Sequence, residues 1–298
     1  MDNEKIPQAV PETPPVKTVV VKKKSCLGRI LKAAVLLLLL WWFNNFTLKI
    51  TKETITSDKV KNKITIAVMS DFHASTSKLA ISNDKLISKI KKMNPDIVCV
   101  LGDMHSNDAT KKEKQISMDL MTGIVSEGFK LFFVLGEHDD RTDRYVAQME
   151  SYGINVLDQE TETIKVKDTE ITLYGISNAW FSPSFDLRNE FTLNPSTYNI
   201  LMAHIPRYDD YSDFGADLTV CGDTHGGIIQ IPFLGPAYYD NEVLPEVKHG
   251  SDDIYDKGLF KNKNGYMFIT SGIGNYPIAA RFNNRPEIGK IVIEPEGD

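Results

Sequence analysis

The feature that most constrains this chain is an ending that recurs. Five apolar runs of strand length each stop in a histidine or a carboxylate: Met69-Ser-Asp71-Phe-His73, Val100-Leu-Gly-Asp103-Met-His105, Val134-Leu-Gly136-Glu137-His138-Asp139, Leu201-Met-Ala-His204 and Val220-Cys-Gly222-Asp223-Thr-His225. Five of the six histidines lie in these endings. Scattered surface histidines would not gather at strand ends. The run from Ile97 to Leu101 is rich in β-branched residues, as a buried parallel strand requires. Gly102 lets the backbone turn sharply and leaves Asp103 at the strand's carboxyl end, the edge at which open α/β sheets bind ligands.

The rest of the chain supplies helices and further strands. Ile64–Met69 reads as the first core strand. Leu86, Ile87 and Ile90 form a helical stripe within 83–93, stopped by Asn94-Pro95. A second helix is expected over 112–127 and a third over 141–151, with a strand at 131–135 between them. From 154 to 174 the pattern becomes strict alternation, which predicts short antiparallel strands. Residues 182–195 look like loop, and strands return at 198–203, 217–221, 266–270 and 290–294. Strand–helix alternation followed by a run of strands predicts an α/β fold of two stacked sheets flanked by helices.

The order D-x-H, G-D, G-x-H-D, H, G-x-T-H resembles the calcineurin-like metallophosphoesterase superfamily over roughly residues 63–297. The stretch Gly222-Asp-Thr-His-Gly-Gly with Pro232-Phe-Leu-Gly-Pro236, and Arg285-Pro-Glu-Ile288 near the end, is similar to its small membrane-anchored bacterial phosphodiesterases. The resemblance implies an α/β/β/α sandwich and two divalent metal ions, with hydrolysis of a phosphoester by a metal-activated hydroxide. It implies that Asp71, His73, Asp103 and His225 hold the first metal and Asp103, Glu137, His204 and Asp223 the second, with Asp103 bridging.

Two positions depart from the family pattern. Where the family has Gly-Asn-His this chain has Gly136-Glu137-His138, and where it has Gly-His-Thr-His this chain has Gly222-Asp223-Thr-His225. Both changes put a carboxylate on the second metal. Hard cations accept carboxylates, so Mn²⁺ is expected ahead of Mg²⁺, Ca²⁺, Fe or Zn²⁺. The alternative is a membrane-tethered metal-binding or sensor protein that keeps the fold with weak turnover or none. By resemblance His138 faces the leaving group, and Asp139 is expected to orient its ring. His105 is expected to contact substrate or to support a ligand. Arg207 and Arg281 are offered either as phosphate contacts or as surface ion pairs.

Composition limits the setting. A net charge of −6 argues against nucleic acid as a partner. Three widely spaced cysteines make no disulfide framework, and Cys99 and Cys221, in strand runs, are expected as buried thiols. Residues 1–29 read as a disordered cytoplasmic tail with a basic cluster, and 30–46 as a transmembrane anchor of 17 residues ending in Trp41, Trp42 and Phe43. Residues 47–62 read as a connector and 63–298 as the catalytic domain. Lys22, Lys23, Lys24, Arg29 and Lys32 place the N-terminus inside the cytoplasmic membrane and the domain outside it. The sequence around 226–239 is apolar for a loop leaving a site. Its residues either pack into the core or meet a bilayer or acyl chain, which would make the substrate a lipid-linked or envelope phosphoester.

Overall fold

The computed structural model describes residues 26–177, 185–240, 242–249 and 254–297. The expected tail lies almost wholly outside the described residues. The chain divides into two compact units, residues 1–38 and 39–298. Helix α1, Cys26–Phe46, begins in the first unit and ends in the second. Among the described residues it is the one helix long and apolar enough to cross a membrane, and its leucines are exposed.

The second unit holds two six-stranded sheets. The first contains β1 (Lys49–Ser57), β2 (Ile64–Met69), β3 (Ile97–Val100), β4 (Leu131–Phe133) and β5 (Asn155–Val156). The second contains β6 (Glu160–Val166), β7 (Thr169–Ile176), β8 (Tyr198–Ala203) and β9 (Leu218–Cys221). Two small hairpins follow, β10 (Gln230–Ile231) with β11 (Gly235–Pro236) and β12 (Tyr238–Tyr239) with β13 (Glu242–Val243). Then β14 (Gly258–Lys261) and β15 (Tyr266–Ile269) complete the second sheet, and β16 (Glu287–Pro295) returns to the first. The strand orders are β1-β16-β2-β3-β4-β5 and β14-β15-β9-β8-β7-β6. Strands β2 to β5 are parallel, as are β7, β8, β9 and β15.

Alternation along the strands builds four layers. Ile64, Ile66 and Val68 of β2 face Ile200, Met202 and Val220 across the space between the sheets. Ala67 and Met69, on the opposite face, pack on helices α2 (Asn83–Met93), α3 (Lys111–Ser126) and α4 (Asp143–Ser151) through Leu86, Leu120 and Met149. The outer face of the second sheet is covered by α5 (Leu187–Glu190) and α6 (Tyr208–Phe214). This is the expected α/β/β/α sandwich. Helix α7 (Pro245–His249) lies after β13. The start of α3 is set by Thr110, whose side chain caps Glu113 while Glu113 bonds back. Cys99 and Cys221 are buried free thiols, as expected.

One expectation needs correction, and one pair of alternatives is narrowed. The segment read as connector forms β1, which pairs along its full length with β16, from Lys49 opposite Glu287 to Ser57 opposite Pro295. It is an edge strand with only Ile55 buried, so it lacks the apolar alternation that marks a core strand. The loop residues Ile229, Phe233 and Leu234 do not pack inside. All three are exposed, and Phe233 is exposed in full (103%).

Candidate metal centre

Parallel strands in both sheets bring their carboxyl ends to one place. Asp71 and His73 follow β2, Asp103 follows β3, Glu137 and His138 follow β4, His204 follows β8, and Asp223 and His225 follow β9. Backbone conformation then aims the side chains. Asp71, His73, Asp103, Asp223 and His225 all sit at positive φ, between 40° and 68°. Few residues other than glycine tolerate this region, though Asp and His are enriched among those that do. Each such residue costs about 1–3 kcal/mol and is retained where surrounding structure enforces it. Here the enforcement is a mesh of amides: Asp71 N–H donates to Gly102 O (3.0 Å) and His73 N–H to Asp103 O (3.1 Å). Gly136 is required because a Cβ there would lie 2.1 Å from Asp103 Oδ1.

Asp103 is the hub. It is 2% exposed, and its Oδ2 lies 3.3 Å from His204 Nε2, 3.7 Å from His138 Nε2 and 3.8 Å from His73 Nε2. Its Oδ1 accepts the His138 backbone N–H at 2.9 Å. His225 Nε2 is 3.7 Å from Asp71 Oδ1, and His204 Nε2 is 3.7 Å from Asp223 Oδ1. Glu137 Oε1 is 3.4 Å from His138 Nε2. Three ligand-capable groups result: Asp71 with His73 and His225, Asp71 with Asp103 and His204, and Asp103 with Glu137 and His138. The first unites three of the four residues expected on the first metal. His138, expected to face the leaving group beside the metals, lies in the third group with Asp103 and Glu137.

The donor set fits cations. Asp71 Oδ1, His73 Nε2, His138 Nδ1, His204 Nε2 and His225 Nδ1 are buried without a hydrogen-bond partner. Buried polar atoms are rarely left so, and a cluster of them calls for an ion. The neighbouring nitrogens are held: His73 Nδ1 is 3.1 Å from Ser106 Oγ, and His204 Nδ1 is 2.5 Å from Leu101 O. Such partners fix ring orientation for a ligand. Burial, then the nearby His225, brings His73 down to about 3, and burial also lowers His225. Both rings are therefore neutral, the form that binds metal. For His204 burial works the other way from its neighbours, but the Asp103 carboxylate and the charges of Asp71 and Asp223 raise it to about 10. Asp103 resists burial through His204 and falls to about 2. Burial and the carboxylates of Asp71 and Glu137 push Asp223 up to about 6. That crowding of negative charge is relieved by a cation.

Four other expected residues stand elsewhere. Asp139 does not orient the His138 ring. Its buried carboxylate accepts the backbone N–H groups of Asp103 (2.7 Å), Gly136 (2.9 Å) and Met104 (3.0 Å), so it ties the two loops that carry Asp103 and His138. His105 is 1% exposed and lies edge-on to Tyr145 at 5.8 Å between ring centroids. Arg207 pairs with Asp210 at 2.5 Å, the surface ion pair that was its other reading. Arg281 fits neither of its readings: it is buried among backbone carbonyls.

The sequence also concealed Tyr276. Its ring stacks on His73 (4.3 Å between centroids, 12° between planes) and meets His138 edge-on at 5.0 Å. The signal was present, since β15 is followed by Thr270-Ser-Gly, another apolar run breaking into a turn. Asn284 was missed as well. It donates to His225 O (2.7 Å) and Gly226 O (3.1 Å), fixing the last ligand loop.

Beside Asp223 opens a cavity of about 650 Å³ walled by Ile205, Ile228, Ile229, Tyr238, Tyr239 and Ile278.

Comparison with known proteins places this arrangement. A family model described as calcineurin-like phosphoesterase matches residues 64–227, a span that contains every ligand candidate above. The chain is 25% identical over 250 residues to the uncharacterized metallophosphoesterase YkuE of Bacillus subtilis, covering 81% of this chain and 84% of that one. It is 24% identical over 230 residues to the phosphodiesterase YaeI of Escherichia coli, covering 75% and 79% respectively. It is 23% identical over 252 residues to a transmembrane protein with a metallophosphoesterase domain from Danio rerio, covering 78% of this chain and 54%, about half, of that protein.

Proposed function

The chain belongs to the calcineurin-like phosphoesterase family, and from that we propose that it is a metal-dependent phosphodiesterase, held at the cytoplasmic membrane by α1, acting on a lipid-linked or envelope phosphoester. The observation that carries the reading is the convergence of three histidine Nε2 atoms on one buried oxygen of Asp103, amid donor atoms that have no other partner.

Asp71, His73, Asp103 and His225 would hold one divalent ion, and Asp103, Glu137, His204 and Asp223 a second. Bound there, the ions supply Lewis-acid polarisation of phosphoryl oxygens. Four carboxylates around the pair favour Mn²⁺ over Zn²⁺ at the second position. The protein's own part is placement. Asp139 sets the distance between the Asp103 and His138 loops, and Tyr276 buttresses His73 and His138. His138 is 12% exposed in its side chain, with its Nε2 at the mouth between Asp103 and Glu137. From there it delivers a proton or hydrogen bond to a departing ester oxygen.

The cavity beside Asp223 suits an apolar substituent on the phosphoester. Phe233, Leu234, Ile278 and Phe282 are exposed around the same loops, and Trp41 of α1 donates to Ala279 O at 2.7 Å. A substrate presented at a bilayer would meet this rim first. Arg29 and Lys32, preceding the leucines, orient the domain to the outer face.

The test uses the full chain in detergent and in vesicles, loaded with Mn²⁺, Mg²⁺ or Zn²⁺. An aryl phosphodiester should be hydrolysed best with Mn²⁺, and chelation should stop turnover. A vesicle-borne phosphodiester should lose more rate than the soluble one when Phe233 and Leu234 are replaced by serine. Metal bound without hydrolysis of any phosphoester would favour the tethered metal-binding protein instead.

A further inference from the structure

A tether needs only length and apolar surface, yet the last turns of α1 are built into the domain by side chains that a tether would not use. Asn45 is fully buried. Its amide pairs with the backbone of Arg281 in both directions: Nδ2 donates to Arg281 O at 3.0 Å, and Oδ1 accepts Arg281 N–H at 2.8 Å. Asn275 Nδ2 donates to Asn45 O at 2.8 Å. Arg285 lies 4.4 Å over the Phe43 ring and donates to Thr47 Oγ1 (2.8 Å) and Leu48 O (2.9 Å).

The residue that Asn45 grips reaches the centre in one step. The Arg281 side chain, 4% exposed, donates from Nη2 to Ser271 O and Gly274 O, both at 2.8 Å, and from Nε to Gly274 O at 3.1 Å. Those carbonyls belong to the loop that walls the first ligands. Gly274 N–H donates to Asp71 O at 2.7 Å and Ile273 N–H to Ser70 O at 3.1 Å. A Cβ on Gly272 would fall 2.6 Å from Asp71 Cβ. Tyr276, on the same loop, carries the ring stacked on His73. A small cavity of about 180 Å³ separates Phe46 from His73 and is lined by Ile273, Gly274 and Asn275.

We infer that Asn45 and Arg281 are positioning residues for the Asp71–His73 half of the centre, so that the end of the apolar helix is a working part of the metal site. Asn45 locks the Arg281 backbone, Arg281 braces 271–274, and that loop holds Asp71 and Tyr276 against the metal position. The inference rests on the metal-centre reading, and its test reads metal affinity, so it stands apart from whether any phosphoester is turned over.

The full chain in detergent is compared with Asn45→Ala, Arg281→Lys and a control, Asn155→Ala. Asn155 donates to Leu131 O at 2.9 Å on the far edge of the first sheet and so reports simple loss of a packing bond. Mn²⁺ affinity and the thermal midpoint are measured on each. Asn45→Ala should weaken Mn²⁺ binding by about 10-fold, the low end of the loss when a partner bonded directly to a ligand is removed, because Asn45 acts through Arg281. Arg281→Lys keeps the charge but can reach fewer carbonyls, and should fall between parent and Asn45→Ala. Asn155→Ala should lower the midpoint and leave Mn²⁺ affinity at the parent value. Should Asn45→Ala fail to fold, Arg281→Lys against Asn155→Ala decides. Parent-like affinity in the folded brace variants, or equal weakening in the control, overturns the inference.

Discussion

The two halves of the metal centre are built differently. On one side Asp71, His73 and His225 are enclosed: Asp71 has no exposed surface, and the loops that carry them are tied by Gly102, Asp103, Gly274 and Asn284. On the other side Glu137 has a side chain 53% exposed, and Asp223 has one 33% exposed and lines the open cavity. The departures from the family pattern fall on the open side. The comparison teaches where a ligand set can change. An enclosed ligand is over-determined by its neighbours, whereas an exposed one can be exchanged without disturbing packing.

Four predictions test that contrast, beginning with the largest effect. Asp103 serves both halves, so Asp103→Ala should abolish binding of both ions and turnover with it; retention of two ions by calorimetry would mean that the constellation is misread. His138→Ala should leave the ions in place and reduce turnover of an aryl phosphodiester by about 10²–10⁴-fold, as loss of a general acid does. Unchanged turnover would remove His138 from the chemistry. Metal-free protein should melt lower than Mn²⁺-loaded protein, since an ion present at a hundred times its dissociation constant stabilises by about 2.7 kcal/mol. Equal midpoints with and without a chelator would deny that the unpaired donors await a cation. The smallest effect concerns the open half alone. Glu137→Asn with Asp223→His should shift preference from Mn²⁺ towards Zn²⁺ while the thermal midpoint of the metal-free protein stays near the parent's. A collapse of the fold would show that the open half is as constrained as the enclosed one.

Much of this was legible in the sequence, for a physical reason. Buried strands and ligand-bearing turns leave local marks, so Ile64–Met69 and Asn83–Met93 appear where periodicity placed them. The ligand candidates were readable because each ends an apolar run. What was not legible depends on partners distant in sequence. Asp139 follows His138 directly, which suggested that it orients that ring; its partners are instead backbone amides of two loops. Arg281 looked like a surface charge because its carbonyl partners have no sequence signature. The positive φ values of the candidate ligand residues are likewise enforced by tertiary hydrogen bonds, at residues that are not themselves glycine.

The position of β16 carries a consequence for how the protein comes into being. That strand lies between β1 and β2, so the first sheet cannot close until Glu287–Pro295 has been synthesised. During translation β2, β3 and β4 can associate in sequence, since they are neighbours in both chain and sheet. Strand β1, made earliest, has no partner for the whole of that interval, and one edge of β2 waits beside it. An unpaired edge is a template for a stray strand. The charged and hydroxylated residues of β1 (Lys49, Thr51, Lys52, Glu53, Thr54, Thr56) keep the waiting segment soluble. A ribosome stalled before codon 287 would therefore leave a nascent chain with its first strand still single, and the quality-control machinery would meet an open sheet.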